Sequence, residues 1–283
     1  MKRAIYALLT ATLVTAMPLS AQNTAPVLNF DSAPTPLVLP DDIYLGEVGG
    51  VATNSRGDIF VYTRTGHPTM SMGTSRAFVH GGSRLFQFDR SGKFTREIGQ
   101  GLYGFLFAAQ VRVDPQDNIW VVDEMSAMVM KLDPQGRVAF LLGRKAEAIQ
   151  NPPRAGGPGE GGGGRGGGAP GAGAQQDVFN RPTDVAWDAQ GNIFVADGRG
   201  NARVAKFSKD GVFVKSWGQK GTAPGQFASV DSIAVDAQGN VYAADGGNAR
   251  LQVFDNNGTF KTEIKNVGNA QAICITPGGN LYV

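Results

Sequence analysis

The chain is poor in the residues that build metal centres and disulfide frameworks. Its 283 residues include one cysteine, Cys274, and two histidines, His67 and His80. A single cysteine excludes an intramolecular disulfide scaffold and a multi-cysteine zinc site. Charge is also scarce. Only 18% of residues are Asp, Glu, Lys or Arg, and 26 bases against 24 acids leave +2. That balance excludes an acidic tail and argues against a nucleic-acid binder. Past the N-terminus no apolar run approaches the roughly 20 residues of a membrane span. Glycine is what the chain has in excess: its 40 residues are about twice the usual share.

The N-terminus reads as a targeting segment. Lys2 and Arg3 precede the apolar stretch Ala4 to Met17, and Ser20-Ala21-Gln22 offers a small residue at a cut site. A basic start and an apolar core of about 13 residues fit a secretory signal peptide over 1–22. Removing Lys2 and Arg3 leaves 24 bases and 24 acids. A neutral exported protein is a poor nucleic-acid partner. The mature chain is expected to be secreted or periplasmic, with no membrane span once the signal is removed. Residues 23–42 carry Pro26, Pro34, Pro36 and Pro40 and read as an extended leader.

From residue 43 onward the chain repeats itself. Phe179-Asn-Arg-Pro-Thr-Asp-Val-Ala-Trp-Asp-Ala-Gln-Gly-Asn-Ile-Phe-Val-Ala-Asp197 parallels Phe227 to Asp245, and each copy continues into Asn-Ala-Arg and a strand ending in Phe. Weaker copies run Val111–Asp123 and Gly50–Tyr62, and a fifth begins at Ala272 and reaches Val283. Within the third copy the predicted strands are Asp184–Trp187, Ile193–Ala196, Val204–Phe207 and Val212–Trp217. Gly and Asn supply the positive φ of the intervening hairpin turns. Val, Ile, Phe and Tyr fill the strands. Four-stranded units recurring every ~40–50 residues mark a β-propeller. The fold class is therefore all-β, a propeller over 43–283, with four whole blades and the start of a fifth. A longer gene product is expected, although closure by a partner chain or by a leader strand stays open.

Strand parity locates a site. In an antiparallel blade, the connection after the second strand and the connection to the next blade share one end. Thr63–Gly82, Arg199–Ala202, Gly246–Ala249 and Arg144–Gln176 all lie there, bordered by Val178 and Asp231. Long loops on one face of a rigid scaffold usually carry function. Arg64, Arg199 and Asp231 are the ligand-binding candidates on that face, since Arg forks grip carboxylates. Arg64, His67 and Asp231 are the candidates for any catalysis. The two histidines are too few, without a nearby carboxylate, to specify a metal centre. The insertion at 151–176 includes Ala155–Ala174, in which 12 of 20 residues are glycine. Such a composition predicts a disordered loop. It does not fit a phosphate cradle, which needs a Lys-Ser/Thr and a following helix.

Asp123, Asp197 and Asp245, with Arg203 and Arg250, recur too regularly to form one active site, so hydrogen bonds and ion pairs that tie strand ends are expected of them. Trp187, Trp217 and Phe207 read as core. Cys274 sits in an inner strand and reads as a buried, unreactive thiol.

The repeats resemble NHL-repeat propellers, and specifically the peptidyl-α-hydroxyglycine α-amidating lyase family. The resemblance runs from about Leu45 to the end. It includes Asp114–Asp123, Lys131-Leu-Asp-Pro134, Leu142-Gly-Arg144, Phe179–Val185, Ala196-Asp-Gly198, Pro224-Gly-Gln-Phe227 and Ala244-Asp245. It implies a six-bladed propeller and a zinc enzyme that splits a peptidyl carbinolamide into a peptide amide and glyoxylate. Its zinc histidines fall on separate blades. The resemblance places the first at Val178 and the second at Asp231, with the third beyond Val283. Arg199 stands for the family tyrosine and Gly246 for a family arginine. Only Arg64, in the first blade, matches. Scaffold motifs identify architecture better than chemistry. The expectation is a binding module for a small-molecule, peptide or protein ligand at the insertion-rich face, without a metal or other cofactor. The alternative is a divergent amidating lyase, in which case zinc would be required.

Overall fold

The computed structural model describes residues 31–33, 36–65, 69–72, 76–79, 82–143 and 178–283. The signal segment, both histidines and the glycine-rich insertion lie outside the described residues.

Four four-stranded antiparallel sheets follow one another along the chain. Blade one pairs β1 (Glu47–Thr53), β2 (Ile59–Arg64), β5 (Ser83–Phe88) and β6 (Phe94–Ile98) in that order. A hairpin of β3 (Thr69–Met72) and β4 (Arg76–Val79) interrupts it between its second and third strands. Blade two holds β7 (Ala108–Val113), β8 (Ile119–Asp123), β9 (Met128–Leu132) and β10 (Val138–Gly143). Blade three holds β11 (Asp184–Trp187), β12 (Ile193–Asp197), β13 (Arg203–Phe207) and β14 (Phe213–Trp217). Blade four holds β15 (Ser232–Val235), β16 (Val241–Asp245), β17 (Arg250–Phe254) and β18 (Phe260–Lys265). A fifth unit contributes the pair β19 (Cys274–Ile275) and β20 (Leu281–Tyr282). The first strands, β1, β7, β11, β15 and β19, neighbour one another in sequence order, which lines them along the propeller's inner wall.

One device makes the inner hairpins. Asp114, Asp188 and Asp236 each follow a first strand. Their Oδ1 atoms accept backbone N–H groups two and four residues on, at 2.8–3.0 Å. Asp89, Asp133 and Asp255 repeat it between third and fourth strands. An aspartate bonding its own turn is cheap and local, so the sequence carries it as a repeated Asp and Gly. Blade two replaces that glycine with Asp117 at φ 62. The substitution has a use, because the Asp117 carboxylate receives both the backbone N–H and the hydroxyl of Ser55 in blade one.

Packing occurs between blades. Tyr62, Leu85 and Ile98 of blade one meet Val111, Val121 and Met130 of blade two in one buried cluster. Val122 and Val129 of blade two meet Val195, Ala205 and Phe207 of blade three. Blades three and four join through Phe194, Val204, Phe227 and Phe254. Trp187 and Trp217, expected in the core, are half-buried at the edges of these clusters. Fully burying one of the Val, Leu, Ile or Phe side chains of these clusters contributes roughly 1.5–3 kcal/mol. The leading face of blade one is covered by the chain itself. Leu37, Leu39, Ile43 and Leu45 pack on Val61, Phe86 and Phe88. Val38 anchors this strap with a parallel bridge to Lys93, exchanging bonds with Gly92 and Phe94. Among its described residues the leader supplies a single bridge, at the outer edge of blade one.

Cys274 departs from the expectation of a buried thiol, for it is exposed. Ile273, one residue earlier, faces blade four and is buried. Cys274 points to the other side, like its counterpart Ala234 in blade four. Ala234 is covered by the fifth unit, whereas no described element covers Cys274.

An ion pair crosses the inner wall. Arg112 of β7 donates from Nε and Nη2 to Asp184 of β11, at 2.9 and 2.6 Å. Asp184 also accepts the Ser232 hydroxyl and the Ile233 N–H from blade four. The Ser232 oxygen in turn accepts the Ile273 N–H of the fifth unit. One carboxylate, 1% exposed, thereby ties four successive units. Removing one partner of a buried pair leaves an uncompensated charge. Asp184→Ala is expected to cost about 3–5 kcal/mol, read as a lower urea midpoint, and a loss below about 1 kcal/mol would sink this account.

Candidate functional site

The connections after second strands and those between blades come together at one end of the propeller, as antiparallel order requires. Buried aspartates brace that end. Asp197 takes the Asn180 N–H, the Asn201 amide and Arg203 Nε. Asp245 does the same with the Ala228 N–H, Asn248 and Arg250. Asp123 takes the backbone N–H groups of Leu106, Phe107 and Ser126 and the Tyr62 hydroxyl. Each fixes the loop leading into its own blade. The expectation that these recurrent residues tie strand ends holds. After each comes a loop whose last residue, Ala127, Ala202 or Ala249, lies at φ 50–54.

On this frame the three candidate side chains have different surroundings. Arg64 is engaged by structure through Nε, Nη1 and its guanidinium face. Its Nε donates to the Ala108 carbonyl at 2.8 Å and its Nη1 to Glu47 at 2.7 Å. Its guanidinium lies 3.8 Å over the Phe107 ring. Asp231 is half-buried and accepts the Ser229 hydroxyl at 2.6 Å. Arg199 is 44% exposed, and its Nε lies 3.8 Å from the Glu124 carboxylate. No ion pair joins Arg64, Arg199 and Asp231 to one another among the described residues.

A neighbour chain links them nonetheless. The Phe107 carbonyl beneath Arg64 accepts the Glu124 N–H. The Glu124 carboxylate, 4% exposed, is gripped by Arg181 through Nε at 2.6 Å and through Nη2. The Arg199 N–H donates to the Arg181 carbonyl. Beside it, a Cβ at Gly198 would stand 1.8 Å from the Val230 carbonyl, so only glycine lets blade three approach the residue before Asp231. Glu124 and Arg181 were not foreseen. Neither recurs: where Glu124 follows the repeated Asp, blades three and four have Gly198 and Gly246, and where Arg181 stands, blade four has Ser229.

The positions that the lyase resemblance assigns to chemistry are also filled differently. Val178 offers no side-chain donor, and its carbonyl accepts Arg203 Nη2. At Gly246, a Cβ would meet Asn269 Oδ1 at 2.4 Å, Asp231 Oδ2 at 2.6 Å and the Ala270 carbonyl at 2.9 Å. The space that a side chain needs is occupied. Three zinc donors do not converge here: among the described residues no group of three His, Cys, Asp or Glu is placed to hold a metal. An open cleft of about 350 Å³ lies farther out on blade four, between Thr222, Asn248, Lys265 and Asn266.

Burial sets one ionisation apart. Desolvation pushes the Asp123 carboxyl above its ordinary 3.8, against the hydrogen bonds from Ser126, Phe107 and Tyr62 that favour its anion. The same burial, with the Asp123 charge beside it, drives the Tyr62 phenol well above its ordinary value. A raised carboxyl pKa stabilises the fold fully below the unfolded value near 3.8, and that contribution is lost as pH rises through the folded one. Asp123→Asn lacks the titration. Its stability deficit relative to the parent is expected to narrow as pH rises from 3.8 upward in chemical denaturation series, and a widening deficit would refute the assignment.

Comparisons with known proteins agree with this architecture. The NHL repeat model matches residues 179–207 and 227–254. Peptidyl-glycine alpha-amidating monooxygenase B of Xenopus laevis is 28% identical over 261 residues, which is 85% of this chain and 27% of that protein. Peptidyl-alpha-hydroxyglycine alpha-amidating lyase 1 of Drosophila melanogaster is 28% identical over 270 residues, 86% of this chain and 45% of its own length. The chain therefore spans less than half the length of these relatives. A streptogramin B lyase structure superposes with a TM-score of 0.54 at 13% identity, covering 85% of this chain and 62% of the other, a likeness of fold. Among the described residues no helix is long and apolar enough to cross a membrane. Repeats, blades and relatives together identify an NHL-repeat β-propeller with a lyase-like scaffold, similar to the peptidyl-α-hydroxyglycine α-amidating lyases.

Proposed function

We propose that this propeller is an exported ligand-binding module, built on the lyase-like scaffold with the zinc histidines replaced. It takes a small-molecule, peptide or protein ligand at the end where its insertions gather. The observation that carries this reading is the pair Val178 and Asp231. The first is aliphatic, and the second has its carboxylate engaged by Ser229. Zinc catalysis needs three protein donors and one open position, and Val178 supplies none. The closed space at Gly246 supports the same reading, since it leaves no room for the family arginine. The basic start of the chain, Lys2 and Arg3 before an apolar stretch, supports export to a secreted or periplasmic location.

The relatives' names favour a second reading, a divergent lyase that releases peptide amide and glyoxylate. Metal analysis of the purified protein separates the two. The binding module predicts no stoichiometric zinc and no glyoxylate from a peptidyl-α-hydroxyglycine substrate. Stoichiometric zinc that is lost in Asp231→Ala or His67→Ala, together with glyoxylate release, would establish the lyase and overturn the binding module.

A further inference from the structure

Among the described residues at the mouth, Arg199 is a charged group whose pairing is incomplete. Glu124 begins the loop after β8, its carboxylate 4% exposed. Burying an anion there requires compensation, and two guanidiniums provide it. Arg181 holds one carboxylate oxygen, Oε1, through both Nε at 2.6 Å and Nη2. Arg199 approaches only with Nε, at 3.8 Å. One negative charge thus faces two positive ones. The surplus sits on the outer members, for Arg181 is 56% and Arg199 44% exposed. Among the described residues the Arg199 side chain makes no hydrogen bond, and its one ion-pair contact is through Nε. Its fork faces no partner among the described residues.

The backbone is committed to this arrangement. Arg181 has φ 60 and precedes Pro182, a left-handed conformation that few side chains adopt and that proline disfavours further. Conformations of that kind are strained and persist where surrounding contacts impose them. Here the contacts are the Glu124 pair and the Arg199 N–H bonded to the Arg181 carbonyl. Arg64 offers the contrast. Its guanidinium is bonded to Glu47 and Ala108 and stacked on Phe107, so it has less left to give a ligand.

We propose that Glu124, Arg181 and Arg199 form an oxyanion-binding site, in which Glu124 is the buried counter-charge and the Arg199 fork, backed by Arg181, receives a carboxylate or phosphate group of the ligand. The proposal rests on the binding-module reading and names the chemistry of its ligand. An arginine fork matches the two oxygens of such a group. The bound anion neutralises the surplus charge, and Glu124 prevents the two arginines from repelling each other in its absence.

The test uses the full chain and three probes: benzoate, its neutral isostere benzamide, and inorganic phosphate. The readout is the guanidinium Nε–H resonance of Arg199, assigned by its disappearance in Arg199→Gln, with Arg137 at the opposite end of the propeller as reference. Benzoate or phosphate is expected to shift the Arg199 signal saturably, while benzamide leaves it unmoved and the Arg137 signal stays in place. Benzoate binding the tighter would identify a carboxylate ligand, and phosphate the tighter a phosphorylated one. Followed through the Arg181 Nε–H resonance, which remains in the variant, Arg199→Gln is expected to weaken binding at least about tenfold. Glu124→Gln is expected to tighten it several-fold, because local charge rises from +1 to +2. A merely structural Glu124 would leave affinity unchanged. An Arg199 signal unmoved by either anion sinks the proposal. Saturable binding that survives Arg199→Gln also sinks it, and leaves the binding-module reading standing. Zinc with glyoxylate release beside a responsive Arg199 would do the reverse.

Discussion

Each blade has two apolar faces, and only another packed layer can keep them dry. A four-stranded sheet twisted as these are cannot do so alone. The consequence is a chain of dependent interfaces: Tyr62 and Val121, Val195 and Val122, Phe194 and Phe254 all sit in clusters built from two successive blades. The same requirement explains the strap of Leu37, Leu39, Ile43 and Leu45 on blade one, because Val61, Phe86 and Phe88 would otherwise face water. It also explains why Ile273 is buried and Cys274 is not. Alternate residues of one strand serve opposite interfaces, and a side chain is only as buried as the layer opposite it.

Polar groups complete what apolar packing leaves undone. Radial packing brings the first strands together, where backbone and side-chain polar atoms have no water. The Arg112–Asp184–Ser232 series satisfies them across four units. At the mouth, Asp123, Asp197 and Asp245 satisfy the donors of the entering loops. A carboxylate accepting several N–H groups holds its loop in one conformation. That rigidity is what allows Arg181 and Arg199 to be placed by neighbours rather than by their own flexible stems.

The repeated parts of this structure were legible in the sequence because they are local. The Asp-Ala-Gln-Gly-Asn turns bond to themselves, and the third-blade strands fall where the alternation of Val, Ile and Phe places them. Strand parity also put Arg64, Arg199 and Asp231 at one end correctly. Availability was not legible. Arg64 and Arg199 look alike as letters, yet one is bonded to residues 17 and 44 positions away and the other, among the described residues, meets only Glu124, at 3.8 Å. The Cys274 expectation failed for the same reason: burial depends on a partner layer, which strand position alone does not supply. His67, His80 and the glycine-rich insertion lie outside the described residues and enter neither account.

A repeat protein carries its own control, and that is the signal by which Glu124 and Arg181 could have been found. Residues that recur at equivalent positions serve every blade, as Asp197 with Arg203 and Asp245 with Arg250 do. A residue that breaks the register has no blade-building duty to explain it. Glu124 replaces a glycine of the repeat, and Arg181 replaces a serine. Each alone would be an ordinary surface variation. Paired within 2.6 Å, across two blades and 57 residues, they compensate one another. Isolated departures from the consensus need no partner, whereas a buried carboxylate at a glycine position is tolerated only because the arginine is there. That mutual dependence sets the junction of the second and third blades apart from the repeat.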